Sequence, residues 1–362
     1  MELPLLRYTV TMPDHSEIDL FAVQSACRLE DYLTAEAFEA RIFACLPALQ
    51  RARANASGPG IVVFPENIGL FLVGQGAGPE LLACKTSEEA FQQLGRRYLK
   101  DVLWAMVRYR VRNPRTAVWL ARATVVRDTM IRTFSRLALE SQMYVVAGSA
   151  YLPRNKFGVV LRPFAPRDRH VYNLSYTFGP DGRLVAASPK VNLVPDLEEG
   201  IGLSRGKAQE IAPVDVGGAR LATAICYDAF RCAHASRETG FTPLLPIMDS
   251  KAVNIVAQPA ANPWPWEDKW PFGGEGDTRL RKEQWLGEGS FSQLPSLQKV
   301  QYVVNPQLVG TLFDLHFDGR SAIYAHEGRQ ATILAEAASI DRDELVHARV
   351  PLHKASPAFM SQ

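Results

Sequence analysis

Three apolar stretches of this chain each end in a residue type that can take part in covalent chemistry. "IVVFPE" ends in Glu66, "GRLVAASPK" in Lys190 and "ARLATAIC" in Cys226. A thiol is a weak nucleophile until a base takes its proton or a neighbouring cation lowers its pKa. Glu66 could be that base. Lys190 could steady a thiolate and then the oxyanion of a tetrahedral intermediate. Taken singly, each residue has an ordinary explanation: a cysteine buried as a small filler, a turn carboxylate, a lysine at a hairpin end. Taken together they form a base, a cation and a nucleophile, and such a set needs no metal and no cofactor.

The elements that must position them alternate between helical and extended patterns. "LLRYTV" and "IDLFAVQSAC" read as strands. Phe38, Ile42, Cys45, Leu46 and Leu49 then recur at helical spacing, with Thr34 as the expected N-cap and Glu36 in the first turn. "GIVVFPENIG" is a buried strand that breaks at Pro65-Glu66. "RLALESQMYVVAGSAYL" is a helix end running into a strand. "YNLSYTFGPDGRLVAASPK" is a hairpin about Pro-Asp-Gly. "ARLATAIC", "AVNIVAQPA", "QYVVNPQLVG" and "RSAIYAH" each read as one further strand. The mixture predicts an α/β fold whose sheets are covered by helices, not a simple parallel doubly wound sheet. Strand ends in such folds are where sites collect.

With those residues in view, the chain resembles the nitrilase superfamily, the carbon–nitrogen hydrolases. The resemblance lies in "FPEN" around Glu66, "SPKVNLVPDLEEG" around Lys190 and "AICYDAF" around Cys226, in that order. "YNLSYTFGPDGRL", "AVNIVAQPAANPW" and "FDGRSAIYAHEG" are similar to the family's as well. Each motif is weak alone; the ordered set is specific. The resemblance implies a four-layer αββα sandwich, commonly paired into a homodimer across a helix layer. It implies a second glutamate, which falls on Glu198, eight positions after Lys190, in preference to its neighbour Glu199. It further implies that Cys226 attacks an amide carbonyl and Glu66 moves the proton. Lys190 and the Tyr227 N–H then hold the oxyanion, Glu198 orients the lysine or the substrate nitrogen, and Asn262 and Trp264 meet the substrate. Tyr227 and Asp228 after the cysteine point to an amide rather than a nitrile. Phe230 stands where related omega-amidases carry arginine. "KVNLVPDLE" is also similar to apolipoprotein N-acyltransferase, so acyl transfer to an amine is the alternative to hydrolysis. A catalytically silent binding module is the alternative from outside enzymology, and the intact Glu-Lys-Cys set argues against it.

Other readings are weaker. His234 lies too near Cys226 for the usual cysteine–histidine dyad, and His347 and His353 have no recognisable motif around them. The glycine-rich "GIGLSRGK" and "GGEG" neither follow a strand nor open a helix, so no phosphate loop is expected. The sequons at Asn55 and Asn173 carry no expected meaning, and Cys232 is expected to be structural.

Bulk properties set the frame. The chain has 362 residues, a net charge of +2 and five scattered cysteines without a C-x-x-C pair. A disulfide framework, a zinc ribbon and a nucleic-acid partner are therefore not expected, and a cytoplasmic setting fits. No signal peptide or spanning segment is evident. One domain is expected, with a core over about 20–338 and a C-terminal arm over about 339–362. Two segments stand apart, and both are expected at the surface. The first, over about 70–136, is basic: eleven Lys or Arg against two acids lie between Arg96 and Arg136. A solvated face, a subunit interface or a peripheral membrane contact would each suit it. The second is the Trp-rich loop over about 262–293. Together the two segments hold all six tryptophans. They are expected to flank the site and favour a small-molecule amide with a bulky or apolar acyl group.

Overall fold

The computed structural model describes residues 17–352 except 196, 235–237 and 239. The lead strand expected at "LLRYTV", and His353, lie outside the described residues.

Two sheets organise the chain. The first holds ten strands among the described residues: β1 (Glu17–Ala26), β2 (Gly60–Val63), β3 (Tyr144–Val146), β4 (Ala150–Asn155), β5 (Pro166–Phe178), β6 (Leu184–Pro189), β10 (Ala260–Ala261), β12 (Gln307–Leu312), β13 (Leu315–Phe317) and β16 (Glu344–Pro351). The second holds six: β7 (Val214–Val216), β8 (Ala219–Thr223), β9 (Ile255–Ala257), β11 (Tyr302–Asn305), β14 (Ala322–Glu327) and β15 (Gln330–Glu336). In the first sheet β1 pairs in parallel with β2 and β12, and β2 with β3. In the second, β9 runs parallel between β8 and β11.

Side-chain alternation stacks these sheets into layers. Ile61 and Val63 of β2 enter one apolar cluster with Leu221, Ile255, Ala257 and Val304 of the second sheet. Val62 and Phe64 point the other way, into a cluster with Phe38, Ile42 and Phe134 of the helices. On the far side of the second sheet Val256 and Val303 meet Leu244, Leu245 and Met248. The three clusters are the three interfaces of an αββα sandwich, the architecture the family resemblance implies.

The outer helices follow their sequence signals. Thr34 caps α1 (Ala35–Phe43) by accepting the Ala37 N–H at 3.0 Å. Helix α2 (Leu46–Ala52) continues it. Helices α3 (Ser87–Arg97) and α4 (Leu99–Tyr109) precede α5 (Pro114–Ser141), which Asn113 caps and Pro114 opens. Helices α6 (Leu244–Ser250) and α7 (Arg281–Glu288) belong to the other side.

Three expectations need correction. "AVNIVAQPA" and "QYVVNPQLVG" are not single strands. Pro259 separates β9 from β10 and Pro306 separates β11 from β12, and at each the chain leaves the second sheet for the first. Proline offers no ladder N–H, so the pairing stops there. The 70–136 segment is not uniformly superficial either: Val118, Trp119, Leu120, Ala123, Val126 and Met130 of α5 are buried against the first sheet. Two of its arginines are buried because carbonyls satisfy them, Arg122 Nε at 3.1 Å from Val73 O and Arg127 Nη1 at 2.9 Å from Leu161 O. Helix α4 does present an outer face. Finally, four of the six tryptophans are buried, namely Trp119, Trp266, Trp270 and Trp285.

Candidate active site

Each reactive residue sits just past a strand. Glu66 follows β2 across Phe64-Pro65, Lys190 directly follows β6, and Cys226 comes three residues after β8. Cys226 opens a short 3-10 turn, Cys226–Ala229, with φ of +49°. That left-handed conformation costs a side-chain-bearing residue roughly 1–2 kcal/mol, so the surroundings must hold it. The Cys226 N–H donates to Pro259 O at 2.7 Å. Asp228 accepts from the N–H groups of Ile225 (3.3 Å), Val191 (3.1 Å) and Asn192 (2.7 Å), tying the cysteine turn to the segment after Lys190. Burial pushes Asp228 up to about 7, against the pull of those donors and of Lys190.

The charged groups meet in one buried cluster. Lys190, only 1% exposed, donates from Nζ to Glu66 Oε1 at 2.8 Å and to Glu198 Oε2 at 2.6 Å. Asn173 Nδ2 bridges the same carboxylates, at 2.8 Å to Glu66 Oε1 and 2.9 Å to Glu198 Oε1. The Ala261 N–H reaches Glu66 Oε2 at 3.1 Å and the Val194 N–H reaches Glu198 Oε2 at 2.8 Å. Glu199 points elsewhere, pairing with Arg205 at 2.6 Å.

The electrostatics assign resting protonation states. Burial opposes the charge on Lys190, but Glu198 and Glu66 overcome it and hold its pKa well above the ordinary lysine value. Burial raises Glu66, and Glu198 adds to that, while Lys190 pulls it back. Burial also raises the Cys226 thiol, Glu66 raises it further, and Lys190 opposes both. The thiol is therefore neutral at rest. It can become a nucleophile only by handing its proton to a neighbour as it attacks, and the raised carboxyl of Glu66 beside it is suited to receive one.

A cavity of about 290 Å³ opens onto Glu66, Lys190, Glu198 and Cys226. Its lining falls into two groups: Phe71, Leu94, Trp119 and Phe317 belong to one apolar cluster, while Tyr227 and Trp264 belong to another, with His234 and Arg281 packed against Trp264. Tyr227 and Trp264, two of the residues singled out in the sequence, both line the cavity. Asn262 does not line the cavity. Its amide is consumed by Trp264 O at 2.6 Å and Asp318 O at 3.0 Å, and its carbonyl by Arg281 Nε at 2.8 Å, so it fixes the Trp264 wall instead. Trp266 likewise lies behind the wall, against Trp285. Sequence reading missed Asn173, Asp228, His234 and Arg281. Asp228 had a signal in its adjacency to the cysteine; the other three stand in no local pattern that marks a site. Among the described residues no group of His, Cys, Asp and Glu could hold a metal ion.

Comparison with known proteins gives this arrangement its setting. No curated protein matches the chain. Similar solved structures include an amidase mutant from Nesterenkonia sp. AN1 with the acetamide moiety of fluoroacetamide added covalently at its active-site cysteine. It is 15% identical with a TM-score of 0.53, over 94% of this chain and 92% of that one. A carbon-nitrogen hydrolase from Helicobacter pylori is 16% identical with a TM-score of 0.57, over 93% and 89%. Saccharomyces cerevisiae Nit3, a member of branch 10 of the nitrilase superfamily, is 19% identical with a TM-score of 0.54, over 93% and 90%. The family model for carbon-nitrogen hydrolases matches residues 27–231, more than half of the chain, and that span contains Glu66, Lys190, Glu198 and Cys226. By its sequence match and its two-sheet sandwich, the chain belongs to the carbon–nitrogen hydrolase family of the nitrilase superfamily.

Proposed function

We propose that the protein cleaves amides through a thioester on Cys226, carrying an apolar acyl group in the apolar arm of the cavity. The observation that carries this reading is the buried Lys190 ammonium bonded to both Glu66 and Glu198 in a cavity that Cys226 also lines. Family membership supports C–N bond hydrolysis, and a mutant of the Nesterenkonia amidase has been seen in complex with butyramide, a small amide.

The steps follow from the protonation states. Glu66 takes the thiol proton as sulfur attacks the carbonyl carbon. Lys190 Nζ and the Tyr227 N–H, a backbone donor that a helix start leaves unpaired, receive the oxyanion. The tetrahedral intermediate collapses as Glu66 returns the proton to the leaving nitrogen. Water then adds to the thioester, with Glu66 again as base, releasing the acid and restoring the thiol. Glu198 keeps Lys190 aimed throughout.

Two results test this reading. Across primary amides, kcat/KM should rise at least about tenfold from acetamide to octanamide, since each buried methylene is worth about 0.8 kcal/mol. Ala90→Phe, which adds bulk to the apolar wall, should erase that rise. A wild-type preference for acetamide would mean that the apolar arm does not hold the acyl chain.

The second result is a pH profile. Glu66 works deprotonated, so activity falls as pH drops through its raised pKa, and the acid limb of kcat/KM lies above the ordinary carboxylate range. Asn173→Ala removes an N–H donor from the ionised carboxylates. It should lower kcat about tenfold and move that acid limb to higher pH. A lowered kcat with an unmoved limb would make Asn173 a packing residue only.

A further inference from the structure

The cavity is lined by two buried polar side chains whose hydrogen-bonding capacity the described residues do not fill. Arg281, at the start of α7, is 1% exposed. Its Nε donates to Asn262 Oδ1 at 2.8 Å and its Nη1 to Gln284 Oε1, while Nη2 meets no acceptor among the described residues. Rings of Phe230, Trp264, Trp270 and Trp285 surround the guanidinium, with Cζ 5.7, 4.9, 4.3 and 5.0 Å from their centroids. Arg281 forms no ion pair among the described residues; burial lowers its pKa to about 9, which leaves it charged at neutral pH. Beside it, His234 is buried, and among the described residues neither ring nitrogen has a hydrogen-bond partner. Burial, and then the Arg281 charge, keep that imidazole neutral. Both side chains line the same cavity as Cys226.

A buried cation without a counter-ion is costly, and a planar guanidinium beside an imidazole donor matches a carboxylate. We propose that Arg281 and His234 form a carboxylate subsite on the leaving-group side of Cys226, so that the substrate is an N-acyl amino acid. The acyl chain lies against the apolar group of lining residues, which leaves the Trp264 side for the substituent on nitrogen. Sulfur bonds to the acyl carbon, the C–N bond breaks, and the amino acid leaves with the proton Glu66 took from the thiol. Water then releases the fatty acid. This assignment rests on the amide-cleaving reading above.

The test compares N-octanoylglycine with N-ethyloctanamide, which keeps the scissile bond and replaces the carboxylate with a methyl group. Wild-type kcat/KM should favour the acid by at least about 100-fold. In Arg281→Met that ratio should collapse to a few-fold, and in His234→Ala it should fall in part. Equal wild-type rates, or a ratio that survives Arg281→Met, would overturn the subsite and leave Arg281 as a pin for the Trp-rich loop. The wild-type comparison stands even if a variant does not fold. Acylation of Cys226 by octanamide with no preference for the acid separates failure of the subsite from failure of the amide-cleaving reading; no acylation by any amide overturns both.

A separate observation concerns the outer surface. On α4, Leu99, Leu103, Trp104 and Val107 are 52, 51, 60 and 81% exposed. Their spacing puts them on one helical face. Exposed Arg96, Arg97, Lys100, Arg108 and Arg110 flank that face, and Asp101 is the helix's one acid. The preceding α3 supplies Phe91 and Leu94 to the apolar cavity wall. We infer that α4 rests on an anionic lipid surface, apolar face down and cations to the headgroups, beside the acyl arm. The protein should sediment with phosphatidylserine-containing vesicles, less with phosphatidylcholine alone, and about tenfold more weakly as Trp104→Ser/Val107→Ser. Absence of vesicle binding would overturn this, as would a wild-type dimer that the same double variant converts to monomer, since the face would then be a subunit interface.

Discussion

Cys226→Ala protein is expected to fold normally and to lose turnover by on the order of 10⁴-fold or more, the scale set by removing a nucleophile from a concerted site. The fold should survive because the change removes one atom at a buried turn whose conformation is held by the backbone bond to Pro259 and by Asp228. Alanine in the left-handed region is about as strained as cysteine, so the strain itself does not change. Cys232→Ala is the control: that thiol is exposed and outside the cavity, and its loss should leave kcat within about twofold. Turnover is read on an amide panel and folding on a thermal melt.

Lys190→Met is expected to be the most destabilising single change at the site. Glu66 and Glu198 would face each other without their shared cation, in a cluster from which water is largely excluded. Breaking a buried ion pair by removing one partner costs about 3–5 kcal/mol, which a denaturant midpoint would register clearly. The loss has a sign in pH. Without the ammonium the Glu66 carboxyl shifts further upward and holds a proton in the native state that the unfolded chain releases. The variant should therefore be less impaired at pH 5 than at pH 8. Adding Glu66→Gln and Glu198→Gln should restore most of the stability, because no uncompensated charge is left, while turnover stays absent without a base. A single variant as stable as wild type at pH 8 would mean that the cluster does not hold these charges.

How far the site could be read ahead of the structure depended on whether each signal was local. Glu66, Lys190 and Cys226 each end an apolar strand, and that juxtaposition is visible in a line of sequence. Glu198 was reachable only through the family resemblance, which implies a second glutamate shortly after the lysine. Asn173 sits in a sequon, where its neighbours suggest nothing, and its role exists only because β5 carries it between two carboxylates from other segments. Arg281 and His234 gain meaning only when α7 and the loop after the cysteine turn form one wall. The layered fold was legible from alternating patterns, but the sheet exchanges at Pro259 and Pro306 were not, since the apolar pattern runs straight through them. Charge tallies misplaced α5 because they cannot distinguish an arginine in water from Arg127, whose guanidinium is taken up by backbone carbonyls.

The most direct test of the central claim is mass spectrometry of the peptide containing Cys226 after acid quench of the protein mixed with octanamide. An added octanoyl group is expected on Cys226 in the wild type, absent from Cys226→Ala, with octanoate appearing as the adduct decays. Octanoate formed at the wild-type rate by Cys226→Ala, or an acyl group found on a different residue, would contradict it.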